Sequence, residues 1–224
     1  MLKNNFMFDN DKKNNLLTRI IDEIGIDKGT SQHNYSRWYN YYFEKIKEEN
    51  LNILEIGVST GKSLYSWKKY FANSSIYGIE KYKDVIDKNF TKDCNIFIGN
   101  QSSNSFLSKV CESVSGGFDI IIDDGSHITS DQVQTFLYLF KKMNSPGIYI
   151  IEDLQTSYNK KYRKGEYKST INFLKKMIDK VNHDGKFRCN NFDRIIKKSV
   201  KLNKYEKIIE SIHFYSGICF IFKR

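Results

Sequence analysis

Two stretches of this sequence end in clustered acids. Phe118-Asp-Ile-Ile-Ile-Asp-Asp-Gly-Ser-His127 is an apolar run that stops abruptly at Asp123, Asp124, a glycine, a serine and a histidine. Gly147-Ile-Tyr-Ile-Ile-Glu-Asp153 stops in the same way at Glu152 and Asp153. Crowded carboxylates repel and raise one another's pKa unless a cation joins them. Hard oxygen ligands with room left for water or substrate suit Mg²⁺ far better than zinc. A histidine beside such a cluster adds a side chain that exchanges a proton near neutral pH. Together these residues suit metal-assisted activation of a hydroxyl, provided the fold brings both stretches to one edge. The alternative for His127 is a structural one, capping the helix that follows; its place beside the acids favours the proton.

The elements that must position them read as alternating strands and helices. A continuous β-branched run ending in polar groups is the pattern of a buried parallel strand. Ligands of open α/β sheets bind outside the carboxyl ends of such strands. Asn52-Ile-Leu-Glu-Ile-Gly-Val58 is the first strand, followed by Ser59-Thr60-Gly61 and a helix from Ser63 to Phe71. The glycine pattern is Glu55-x-Gly57-x-x-x-Gly61, not the G-x-G-x-x-G of dinucleotide binders. An acid-x-Gly at the end of the first strand resembles the start of the cofactor site in class I S-adenosylmethionine methyltransferases. Glu55, Gly57, Ser59, Gly61 and Ser63 are therefore cofactor-binding candidates.

Ser75-Ile-Tyr-Gly-Ile-Glu80 is a second strand ending in an acid, about twenty residues past the glycine turn, where a carboxylate accepts ribose hydroxyls. The third strand ends in Asn100, Gln101 and Ser102, groups suited to an adenine edge. Helices are expected over Asn104 to Val114, Thr129 to Met143 and Ser169 to Val181, with a terminal hairpin of Lys207 to Tyr215 and Ile218 to Phe222. Residues 183–204 show no clear periodicity. The whole reads as an α/β, Rossmann-like class I methyltransferase fold, a seven-stranded mostly parallel sheet in the order 3-2-1-4-5-7-6 with helices on both faces. Residues 1–50 are expected to form an N-terminal helical and aromatic lid segment on a single methyltransferase domain of residues 51–224. The helically spaced Tyr35, Trp38, Tyr39, Tyr42 and Phe43 are read mostly as core.

The chain has 224 residues, 40% hydrophobic and 28% charged, enough for one sizeable core. Its formal charge of +10 invites an anionic partner. The lysines are scattered, which argues for a solvated basic surface and against a nucleic-acid partner. Cys94, Cys111, Cys189 and Cys219 show no C-x-x-C spacing, so reduced thiols and a cytoplasmic location are expected. No apolar run is long enough to span a bilayer, and the N-terminus carries no apolar signal segment, so neither membrane insertion nor classical export is expected.

Several segments together resemble the macrocin- and mycinamicin-type family of S-adenosylmethionine-dependent sugar O-methyltransferases. They are Leu54-Glu-Ile-Gly-Val58, Ser63 to Phe71, Gly99-Asn-Gln-Ser102, Ile121-Ile-Asp-Asp-Gly-Ser-His127, Ile151-Glu-Asp-Leu-Gln-Thr-Ser-Tyr158, and Asp27-Lys-Gly29 with His33 and Tyr35. The resemblance implies Asp124, Glu152 and Asp153 as Mg²⁺ ligands and His127 as general base. Asn100 stands where the family carries an aspartate, and Asp131 where some relatives carry a second histidine. Asp123 is left as a cofactor-side group or a support for its neighbour. His33, Tyr35, Thr156 and Tyr158 are candidates for acceptor contacts from flanking loops.

The function implied is Mg²⁺-dependent methylation of a sugar hydroxyl, free, nucleotide-linked or within a glycan or glycosylated metabolite. Another small diol, a phosphorylated acceptor, or RNA are the competing acceptors. Which acceptor is used, and whether the chain forms a homo-oligomer, is not written in the sequence.

Overall fold

The computed structural model describes residues 15–182 and 203–224. The first 14 residues and the basic stretch 183–202, with Cys189, lie outside the described residues. Five apolar runs become parallel strands: β1 (Asn52–Ile56), β2 (Ser75–Glu80), β3 (Asn95–Ile98), β4 (Ile120–Asp123) and β5 (Gly147–Ile151). An antiparallel hairpin, β6 (Ile209–Tyr215) and β7 (Ile218–Lys223), pairs with β5 through β7. The resulting 7-stranded sheet has the order β3-β2-β1-β4-β5-β7-β6, as the sequence pattern predicts.

Side chains alternate across the sheet with a period of two, and that alternation decides which helix each strand residue meets. Leu54, Ile56, Ile121, Tyr149 and Ile151 face a core shared with α5 (Asn104–Glu112), α6 (Thr129–Lys142) and α7 (Thr170–Val181). Ile53, Ile120, Ile122 and Ile150 face the opposite core, with α1 (Leu16–Ile24), α2 (Ser36–Phe43) and α3 (Lys62–Tyr70). Tyr39, Phe43, Trp67 and Phe71 are fully buried there. Burying each such side chain contributes about 1.5–3 kcal/mol. A short helix, α4 (Lys88–Thr91), precedes β3.

The register aligns the strand ends. Ile56 pairs with Asp123 and Asp123 with Ile151, so Gly57, Asp124 and Glu152 leave the sheet side by side. Asp124 N donates to Ile56 O at 3.0 Å and Glu152 N to Asp123 O at 3.1 Å, fixing that edge.

Lys207 and Ile208, read from the sequence as the start of the hairpin, instead end a short helix, α8 (Lys204–Ile208). Asn203 and Glu206 satisfy each other's backbone N–H groups in a capping box, which starts a helix where the apolar pattern suggests a strand. Among the described residues no helix is long and apolar enough to cross a membrane.

Candidate active site

At the carboxyl edge, Asp124 sits between two groups of ligand atoms, each drawn together within 4.8 Å. The outer group is Asp124, His127 and Asp153, all partly exposed; the inner group is Glu55, Asp124 and Glu152. His127 Nε2 lies 4.0 Å from Asp124 Oδ1 and 3.7 Å from Asp153 Oδ2. Its Nδ1 is buried without a hydrogen-bond partner among the described residues, so Nε2 is the nitrogen that faces the acids. Both His127 and Asp153 have φ of 55°, in the left-handed region.

The inner group already holds a cation. Lys28, 1% exposed, places Nζ 2.5 Å from Asp124 Oδ2, 2.8 Å from Glu152 Oε2 and 3.5 Å from Glu55 Oε1. Burial by itself would push this ammonium down, but the carboxylates of Asp124, Glu152 and Glu55 outweigh it and hold Lys28 well above its ordinary value. Burial raises Glu152, Asp124 and Glu55 in turn, with Lys28 opposing in each case. Glu152 also accepts from Tyr39 Oη. Glu55 accepts from Trp67 Nε1 at 3.1 Å and from Ser63. One ammonium for three carboxylates leaves the cluster short of positive charge, and Asp153 adds to the deficit on the outer side. The donor set therefore fits a divalent cation bound by Asp124 and Asp153, with Glu152 adjacent.

Asp123 faces the other way. Alternation along β4 turns it to the α6 side, where Gln101 Nε2 donates to Oδ1 at 3.2 Å and Tyr149 Oη to Oδ2 at 3.2 Å. Full burial pushes this carboxyl up to about 7. Gln101 Oε1 in turn accepts from Ser126 N at 2.8 Å, so Asp123 props the loop that carries Asp124 to His127.

Beside Asp124 opens a cavity of about 430 Å³, lined by Gly57, Ser59, Glu80, Tyr82, Asn100, Gln101, Asp124 and Ser126 among others. The volume is that of a small-molecule site. Glu80 in its wall is held by the backbone: Oε2 accepts from Ser59 N at 2.9 Å, and Oε1 from Lys81 N at 2.7 Å and Tyr82 N at 3.1 Å. Three backbone donors thus fix the orientation of its carboxylate.

Of the cofactor candidates, Gly57, Ser59, Glu80, Asn100 and Gln101 line the cavity, whereas Glu55, Gly61, Ser63, Ser102 and Asp123 do not. Glu55 and Ser63 lie on the α3 side of β1 in the Lys28 group, Gly61 packs against Thr91 at the start of α3, and Ser102 folds back on Asn100. The acceptor candidates divide similarly. His33 Nε2 lies 3.9 Å from Asp153 Oδ1, and Tyr35 Oη donates to that oxygen at 3.0 Å. Thr156 Oγ1 donates to Asp153 O at 2.7 Å. Tyr158 is 72% exposed. Lys28 and Tyr39 were not identified as site residues from the sequence. The only signal for Lys28 is its place inside Asp27-Lys-Gly29, and Tyr39 reads as one more apolar contact on an aromatic helix face.

Comparison with known proteins gives relatives of the chain and of its fold. No protein-family model matches the chain. It is 29% identical over 205 residues to 8-demethyl-8-alpha-L-rhamnosyl tetracenomycin-C 2'-O-methyltransferase of Streptomyces olivaceus, covering 86% of this chain and 50% of that protein. It is 32% identical over 165 residues to mycinamicin VI 2''-O-methyltransferase of Micromonospora griseorubida, covering 67% and 40%. Among solved structures it resembles the MycE methyltransferase from the mycinamycin biosynthetic pathway in complex with Mg, SAH and mycinamycin VI. There the TM-score is 0.76 at 25% identity, over 92% of this chain and 54% of that one. The chain spans about half the length of the curated relatives it matches. Its fold is that of the class I, Rossmann-like methyltransferases.

Proposed function

We infer, for a chain that belongs to the macrocin- and mycinamicin-type family of sugar O-methyltransferases, that it transfers the methyl group of S-adenosyl-L-methionine to a sugar hydroxyl of a glycosylated small molecule. The observation that carries this reading is that Asp124, one member of the Asp124–His127–Asp153 group, also lines the cavity that Glu80 lines. Glu80 holds the ribose hydroxyls and the Gly57 turn admits the cofactor to the backbone. Asp124 belongs both to the cavity wall and to the acid cluster, so it marks where methyl donor and acceptor meet.

Mg²⁺ would be held by Asp124 and Asp153, with Glu152 adjacent and its two oxygens engaged by Lys28 and Tyr39, and when bound it would supply Lewis-acid charge to the acceptor hydroxyl. His127 Nε2 takes the proton of that hydroxyl, and the adjacent acids stabilise the imidazolium that results. The acceptor oxygen forms its bond to the methyl carbon as the carbon–sulfur bond breaks, and S-adenosylhomocysteine leaves. His33 and Tyr35 orient Asp153 and lie where a bound acceptor would pass. Much of the acceleration comes from alignment of oxygen, methyl and sulfur.

The test is a methyl-transfer assay across macrolide and tetracenomycin glycosides, nucleotide sugars, catechols and phosphorylated metabolites, with Mg²⁺ and with chelator. Transfer to a glycoside hydroxyl is expected, falling by about 100-fold or more in chelator and returning when Mg²⁺ is restored. Full activity in chelator would overturn the metal's part, and transfer only to a non-sugar acceptor would overturn the substrate class.

A separate expectation concerns the ribose end. Glu80→Ala removes the carboxylate that three backbone N–H groups orient. Hydrogen bonds to a charged group are worth roughly 1.5–3 kcal/mol. Calorimetric affinity for S-adenosylhomocysteine should therefore fall about tenfold or more, with kcat at saturating cofactor affected far less. Unchanged affinity would remove Glu80 from the cofactor site.

A further inference from the structure

The Asp27-Lys-Gly29 turn lies far in sequence from the acids, yet it puts one ammonium at the end of three strands. Lys28 Nζ meets Glu55 of β1, Asp124 just past β4 and Glu152 just past β5. The backbone holds the lysine there: Lys28 O accepts from Ser36 N at 2.9 Å, and Gly29 packs so tightly that a Cβ would fall 2.2 Å from Asp22 Oδ1. An ammonium directs its three donors in different directions, which suits carboxylates arriving from separate strands better than a planar guanidinium does. The second carboxylate oxygen of Asp124 is left for the outer side, toward His127.

We propose that Lys28 is a positioning residue: its fixed ammonium binds the inner oxygens of Asp124 and Glu152 and so aims the outer oxygen of Asp124 at the reacting groups. In effect the cluster has two adjacent cation positions that share Asp124, and the protein fills the inner one with its own side chain. The proposal rests on the reading of Asp124 as part of the transfer site, and it predicts that Lys28 governs turnover without touching donor or acceptor.

A double-mutant cycle on thermal unfolding tests the pairing without metal or acceptor. Lys28→Met should lower Tm by roughly 10 °C, because it strands buried carboxylates, whereas Glu152→Gln, which leaves Lys28 paired with Asp124 and Glu55, should cost less. The double variant should lose clearly less than the sum, since partners in one network couple. Additive losses would overturn the pairing. Should Lys28→Met fail to fold, a folded double variant supports the proposal and a double variant equally unfolded overturns it.

Kinetics of the folded Lys28→Met enzyme test the positioning. A loss in kcat of about 100-fold is expected, the scale of an ångström of misplacement, with the cofactor KM within about three-fold of the parent. Parental kcat, or a loss confined to cofactor KM, overturns it. A parent enzyme that methylates no glycoside would remove the acceptor class proposed above and leave the unfolding cycle fully readable.

Discussion

A His127→Asn enzyme is expected to keep its fold and its cofactor affinity while kcat falls by about 10²–10⁴-fold, the usual contribution of a positioned general base. Asparagine is the informative replacement because His127 sits at φ 55°, a left-handed conformation that asparagine tolerates and alanine does not favour. The substitution then removes the imidazole without adding backbone strain. Nε2 is the nitrogen concerned, 3.7 Å from Asp153 and 4.0 Å from Asp124. The same closeness allows the ring to serve as a ligand to the cation, and the two roles separate in one experiment. If His127 is the base, Mn²⁺ affinity measured by electron paramagnetic resonance stays within a few-fold of the parent while turnover collapses. Metal affinity lost together with turnover would make His127 a ligand. An Asn variant with more than about a tenth of parental kcat would remove it from proton transfer altogether.

The strands that build this site are legible in the sequence because a sheet buried on both faces writes continuous apolar runs. Ile120, Ile121 and Ile122 are all buried, and the run ends where the backbone leaves the sheet. The acids at 123–124 and 152–153 could therefore be assigned to strand ends, and their adjacency followed from strand order. Alternation along β4 and β5 also sorts Asp123 from Asp124, because Asp123 shares its face with Tyr149 and Ile121. That sorting needs only the register, and the sequence patterns fix the register poorly.

Lys28 is of a different kind. Its partners Asp124 and Glu152 are 96 and 124 positions away in the chain, and its immediate neighbours are a charged residue and a glycine. Local pattern reads that as an exposed turn, since lysine is almost never fully buried unless paired. The pairing exists only once three strands have converged. Tyr39 escapes for a related reason: helical periodicity assigns its ring to the core, correctly, and is silent about the hydroxyl that reaches Glu152.

Gly57→Ala should be severely damaging, and Gly116→Ala measures how much of that damage is backbone strain. Both glycines have φ of +83°, so an L-residue costs each of them about 1–2 kcal/mol of backbone strain. At Gly116 the added Cβ meets nothing closer than Asn52 Nδ2 at 3.6 Å, ordinary contact. At Gly57 it would fall 2.3 Å from Asp124 O and 2.5 Å from Gly125 Cα, and these are backbone atoms that no rotamer change can move aside. Relief requires β1 and the exit of β4 to separate, which displaces Asp124 itself and narrows the cavity that Gly57 lines. Gly116→Ala should therefore lower Tm by about 2–8 °C, the strain alone, and leave cofactor binding and kcat intact. Gly57→Ala should lower Tm by more than 10 °C, weaken S-adenosylhomocysteine binding by about 100-fold or more, and abolish turnover. Equal Tm losses in the two variants, with cofactor binding preserved at Gly57, would mean that the close approach of the first-strand turn to Asp124 does not hold the donor and acceptor halves of the site together.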